Sequence, residues 1–246
     1  MNSADLNFSD WNVVAATGAS ALWVSALLIL LGYAARLRML GSDKDRYDFV
    51  NRHEVGVLWI VALILIVGGC LFGNSAILDF AVVWLVIRGL LTVVLGIVVA
   101  LVIRHILRFH YPFYMEKRLR RYRYRPRVSP TGVPMRLLTE QEEDAYLDEG
   151  MLAEENIFSL DYDVWKDEET GFVTVEKYAG YLHAQQCPAC TCQTMKISKE
   201  VILKQPVNRE DGLLEKHYLC SYCRHSMRKT VRLRFSDNIH ETGSSR

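Results

Sequence analysis

The chain has 246 residues, with 29 lysines and arginines against 28 aspartates and glutamates, for a formal net charge of +1. Its mean hydropathy of +0.07 fits an ordinary soluble protein. That average conceals two unlike halves, and the first half excludes a wholly soluble chain.

Trp11 to Ala35 and Val55 to Leu78 contain no charged residue, and Phe80 to Ile103 contains only Arg88. Each stretch exceeds the ~20 apolar residues that carry a helix across a ~30 Å hydrocarbon layer. Three transmembrane helices are expected, at about 12–35, 55–78 and 80–105, in a membrane domain covering residues 1–110. The opening MNSADLNFSD has no Lys or Arg, so it lacks the basic start of a signal peptide. The first loop holds Arg36, Arg38, Lys44, Arg46 and Arg52, the connection GNSAILD holds none, and Arg104 and Arg108 open a denser cluster. Cytoplasmic loops carry the excess of Lys and Arg. Three crossings then put the N-terminus outside and both basic regions inside, whereas two crossings would separate them.

Arg88 is the one charge well inside a span, and such charges often mark sites. Without a second buried charge to relay protons, Arg88 is expected to snorkel to the interface, pair with Asp79 or contact a partner subunit, rather than serve transport. Gly68, Gly69 and Gly73 permit close helix packing. Cys70 among them is expected as a small buried apolar residue.

Residues 111–127 form a basic juxtamembrane segment. In KRLRRYRYRPR, Arg121, Arg123, Arg125 and Arg127 alternate with Tyr122, Tyr124 and Pro126, the period of a strand. Lys117, Arg118, Arg120, Arg121, Arg123, Arg125 and Arg127 are placed to contact anionic lipid, at about 1 kcal/mol each. Interleaved tyrosines also suit nucleic-acid bases. Lipid is the preferred partner because the tract abuts a membrane helix.

A small cytoplasmic α+β domain is expected next, in two subdomains. In residues 128–180, Thr139 and Glu142 make a capping box for an acidic helix that Gly150 would end. SLDYDVW and TGFVTVEKY read as strands, the latter by alternation of Phe172, Val173, Val175 and Tyr178. Asp161 and Asp163 share one strand face beside no histidine, so solvated surface is the reading rather than acid–base catalysis.

In residues 181–236, Cys187 and Cys190 form one C-x-x-C and Cys220 and Cys223 another. MKISKEVILK, LEKHYL and MRKTVRLRF supply the strands that would carry them. Two such turns provide a tetrahedral set of thiolates, so a zinc ribbon with one zinc per chain is expected. Iron in a rubredoxin-like site uses the same ligands and stays open as the alternative. The cytoplasmic side disfavours disulfides, and the absence of a βαβ pattern disfavours a thioredoxin-type motif. Cys192 is read as a bystander, as are His217 and His225, because four thiolates close the shell. A closed shell leaves no catalytic position, and no enzyme activity is expected. Residues 237–246 read as a disordered tail.

The two subdomains echo each other. VSPTGVPM and CPACTCQTM both place a proline-containing turn before a Met, a basic residue and an aliphatic one, and VWKDEETG parallels HYLCSYCR. The run RPRVSPTGVPMRLL…EDAYLDEG…SLDYDVW…TGFVTV…CPAC…YLCSYC resembles the cytoplasmic tail of bacterial TPM-domain membrane proteins. The likeness covers roughly residues 118–235 and implies two ribbon-like or rubredoxin-like cysteine clusters. The family's TPM domain, outside the membrane, has no counterpart in the ten or so residues before the first span, so no activity is carried over. The resemblance also matches Val128, Thr131, Asp167 and Thr170 to the ligand positions of the first cluster. All four lack a thiol, so that subdomain is expected to be a ribbon without metal, held by Trp165, Met135 and Leu137.

Together these readings describe a bacterial inner-membrane protein that presents a structural zinc ribbon in the cytoplasm, for interaction with a membrane-protein partner or a second copy. The rivals are a redox or iron protein using the same thiols, and an anionic-lipid or nucleic-acid binder acting through the basic tract.

Overall fold

The computed structural model describes residues 8–75, 82–206 and 210–234, which form two units divided after Arg125. The tail 237–246 lies outside the described residues. The first unit contains α1 (Phe8–Met39), α2 (Asp43–Gly73) and α3 (Val82–His105), followed by a π-helical turn (Ile106–His110) and α4 (Tyr111–Arg123). Three helical stretches among the described residues are long and apolar enough to cross a membrane: Trp11–Met39, Asp43–Gly73 and Val86–Arg123.

Several boundaries differ from the sequence reading: α1 spans Phe8–Met39 rather than 12–35, and α2 ends at Gly73 rather than 78. α2 begins at Asp43, because Ser42 accepts a hydrogen bond from the Lys44 amide and Asp43 and Asp45 complement the first turn. Helix also continues past residue 105. Pro112 cannot donate to the ladder, and the backbone widens into the π turn just before it. Beyond that turn, residues 117–123 of the basic tract are helical rather than extended. Arg, Lys and Leu are good helix formers, and a helix already propagating needs no new nucleus. The alternation of Arg and Tyr had imitated a strand.

α1 and α2 meet where Gly68 stands, since a Cβ there would lie 2.6 Å from Trp23 Nε1. Gly69 faces open space instead. α3 approaches α2 through Gly96, where a Cβ would come within 2.9 Å of Cys70 Sγ. Cys70 is half-buried, with its thiol 3.4 Å from the Thr92 carbonyl. Arg88 donates to the Gly73 carbonyl at the end of α2. Asp79, its expected partner, lies outside the described residues.

The second unit carries two three-stranded antiparallel sheets of the same order. β1 (Arg136–Leu137), β2 (Leu160–Lys166) and β3 (Val173–Ala179) form the first, and β4 (Met195–Lys204), β5 (Gly212–Cys220) and β6 (Ser226–Leu233) the second. Between β1 and β2 lie α5 (Glu140–Glu143), a short 3-10 turn and α6 (Glu149–Asn156). The capping box at Thr139 is present. Gly150 does not end a helix; it lies in the first turn of α6, where a Cβ would sit 2.8 Å from Cys192 Sγ.

Leu138, Leu147, Leu160, Tyr162 and Val164 form the core of the first sheet, and Cys187, Met195, Tyr218 and Cys220 that of the second. Met135 and Trp165 are buried as expected of them, while Leu137 is only half-buried.

Candidate metal centre

The Sγ atoms of Cys187, Cys190, Cys220 and Cys223 lie within 4.8 Å of one another. Each pair sits on a turn beside a strand. The first precedes β4, and the second joins β5 to β6, where Cys220 stands opposite Met195. Cys187 Sγ is 3.6 Å from Cys223 Sγ, and Cys190 Sγ is 3.7 Å from Cys220 Sγ. A tetrahedron with metal–sulfur arms of ~2.3 Å has edges of about 3.8 Å, so these separations fit a four-thiolate ion and are far too long for disulfides. The donor set is soft and complete, which suits zinc or iron.

The protein supplies further support around the sulfurs. Thr194 Oγ1 lies 3.0 Å from Cys220 Sγ, and the Cys223 amide donates to the same sulfur at 3.4 Å. Burial pushes Cys220 up, but these hydrogen bonds outweigh it and hold the thiol at about 6. The opposite balance holds elsewhere. Burial raises Cys190 to about 11. A backbone hydrogen bond at His225 favours the Cys223 thiolate, yet desolvation and the adjacent sulfurs push it to about 12. Four thiolates around one point need a cation to share them.

Cys192 is outside the set; its sulfur turns toward the Cys190 carbonyl, and burial raises its thiol. His217 lies 2.7 Å from Glu215 rather than at the centre.

The first sheet repeats this scaffold without cysteine. The Asp167 amide donates to the Phe172 carbonyl as that of Cys220 donates to His225. The Asp167 carboxylate accepts from the amides of Glu169 (2.9 Å) and Thr170 (3.3 Å), much as Cys220 Sγ accepts from Cys223. Extending the β1–β2 register by one step sets Met135 opposite Asp167, as Met195 is set opposite Cys220. Gly132, Gly171, Thr191 and Arg224 all have φ between 63° and 89°, and each follows the second position of a turn.

Asp167 is fully buried and central to its cluster, with Thr170 Oγ1 at 2.6 Å and Thr131 Oγ1 at 3.4 Å. The Thr170 hydroxyl is the main cause holding its carboxyl down at about 2, against burial. Val128 does not join this cluster; it is 66% exposed. Ser129 takes that place, buried and 2.7 Å from Thr131 Oγ1. The Ser129 amide bonds to Val133, giving a tighter turn than the Cys187–Cys192 one and shifting the inward residue by one. The signal was available, since Pro130 follows Ser129 as Pro188 follows Cys187.

Family models, curated proteins and solved structures offer no match to this chain. The likeness to TPM-domain tails rests on its motifs alone.

Several expected surface residues have other roles. Arg127 is half-buried, forms paired hydrogen bonds to Glu176 (2.8 and 2.7 Å) and lies over the Trp165 ring. Arg118 bonds to Glu54, and Arg125 comes within 3.7 Å of Asp43. Lys117, Arg120 and Arg121 are exposed, and Arg123 is half-buried. Asp163 is buried rather than solvated, while Asp161 is half-buried.

Glu54 was missed altogether. It is buried in α2 and accepts hydrogen bonds from Tyr33 of α1 (2.6 Å) and from Tyr111 and Arg118 of α4. Its partners are 21 to 64 residues away in sequence, and only the position just outside an uncharged span hinted at it.

Proposed function

We propose that the chain is a bacterial inner-membrane protein that holds a zinc-ribbon platform in the cytoplasm for docking a membrane-protein partner or a second copy. The observation that carries this reading is the closed set of four thiols at Cys187, Cys190, Cys220 and Cys223, spaced for one tetrahedral ion. Four protein sulfurs leave no open coordination position, so the metal's contribution is to folding. The basic first loop supports the inward orientation. The first sheet, related to the ribbon tails of TPM-domain proteins by its motifs, supplies a metal-free companion in which Asp167 and its hydroxyl donors replace the ion.

The test combines metal content with crosslinking. Purified full-length protein is expected to contain one zinc per chain and no visible absorption; a coloured protein would assign the site to iron. Cys220→Ser and Cys223→Ser are each expected to lose the metal and the crosslinked partner while still inserting in the membrane. A variant that loses metal and keeps the same partner would overturn the platform role.

A further inference from the structure

The β4–β5–β6 sheet has two unlike faces. Its cross-strand rows place Lys199, His217 and Arg228 side by side, then Val201, Glu215 and Thr230, then Lys204, Leu213 and Arg232. Lys196 begins the same face opposite Leu219. Paired residues of an antiparallel sheet share a side. Lys196, Lys199, Lys204, Arg228 and Arg232 therefore point one way, and all are exposed. The other face carries Ile197, Tyr218 and Met227 in one row, Glu200, Lys216 and Lys229 in the next, where Lys216 pairs with Glu200, and Ile202, Leu214 and Val231 in the third.

The cationic face is poorly neutralised. Glu215 is its carboxylate in the strand rows, and it lies against His217. Among the described residues, Lys204 pairs with Glu210, while no carboxylate pairs with Lys196, Lys199, Arg228 or Arg232. Like charges gathered on one sheet face oppose folding. Their arrangement is better explained by an anionic surface than by stability.

We propose that this face docks on the anionic lipid headgroups of the membrane that anchors the chain. The partner follows from three features. The face is open surface spread over three strands, suited to an extended array of charges rather than one small ligand. Its strand rows present no Phe, Tyr or Trp for base stacking, since Tyr218 lies on the opposite face and the one ring, His217, is held against Glu215. The sheet is also tethered to a membrane-spanning helix, which gives it a high effective concentration at the bilayer. Each cation near an anionic surface strengthens the contact about fivefold. This inference rests on the sheet register and the membrane anchor, and does not require the metal to be zinc.

The test uses the full-length protein in nanodiscs of phosphatidylcholine, with or without phosphatidylglycerol. An amine-acetylating reagent and peptide mass spectrometry read the accessibility of each lysine. Lys196, Lys199 and Lys204 are expected to react several-fold more slowly with anionic lipid, while Lys229 on the other face keeps its rate. The protection should vanish in about 1 M salt, where the Debye length is ~3 Å. Arg228→Gln with Arg232→Gln should weaken it by roughly 25-fold. Equal rates in both nanodiscs, or equal protection of Lys229, would overturn the proposal. Protection by an added oligonucleotide and none by anionic lipid would also overturn it, assigning the face to nucleic acid.

Discussion

Replacing Glu54 by Ala removes the acceptor that ties α4 and α1 to α2. Its carboxylate is 4% exposed and serves Tyr33, Tyr111 and Arg118. Hydrogen bonds to a charged group contribute ~1.5–3 kcal/mol each, and breaking a buried ion pair costs ~3–5 kcal/mol. The Arg118 side chain is 37% exposed and can regain solvent, so the lower end applies. The expected loss is about 3 kcal/mol. Glu54→Gln should cost less, since its oxygen can still accept from Tyr33 and Arg118 while its amide group faces the Tyr111 hydroxyl, which can accept instead. Denaturant titration of the full chain in micelles gives the global value, and hydrogen exchange localises it to α4. In an Arg118→Leu background the Glu54 substitution should cost distinctly less, because the pair is already broken. Wild-type stability of Glu54→Ala, or unchanged exchange in α4, would refute the clasp.

Chelation is expected to make residues 187–233 protease-sensitive while β1–β3 resist, as limited proteolysis would record. Two metals per chain would contradict a metal-free first sheet. Asp167 is held at about 2, below its unfolded value of ~3.9, so its contribution is present above pH ~4 and lost as pH falls toward 2. Asp167→Asn should remove that acid limb from exchange protection of β2 and β3. Burial raises Glu143 to about 7, with Glu140 and Glu155 adding to it. Its folded form therefore binds the proton more tightly, and stability should decline as pH rises from ~4.3 through about 7. Glu143→Gln should flatten that slope in thermal melts. A reporter fused after Arg246 should be active only in the cytoplasm; activity outside would refute the three-crossing orientation.

The residues that were legible carry local patterns. Long apolar runs announced the three helices, alternation announced β3, and C-x-x-C spacing announced the cysteine cluster. The errors arose where a partner distant in sequence decided the outcome. Arg127 looks solvated until Glu176 and Trp165 enclose it. Gly150 looks like a helix stop until Cys192 packs against it. The basic tract looks extended until the helix preceding it continues through Pro112. Ser129 was displaced by Val128 because the inward position depends on a one-residue tightening of the turn. Glu54 gives no local pattern, since its meaning lies in two tyrosines and an arginine from other helices.

Phe158, before β2, is also left-handed, and the four left-handed positions at the paired turns divide unevenly between the two sheets. The cysteine-free turns place glycine there, at Gly132 and Gly171, whereas the cysteine turns place Thr191 and Arg224. Glycine enters this conformation freely, and a side chain opposes it by roughly 1–2 kcal/mol. The first sheet can thus close its turns unaided, while the second is biased toward opening until an ion holds it. Half of the domain would then mature at synthesis and the other half at metal delivery, making assembly answer to the cell's metal supply. Thr191→Gly with Arg224→Gly should blunt that dependence by stabilising the apo turns.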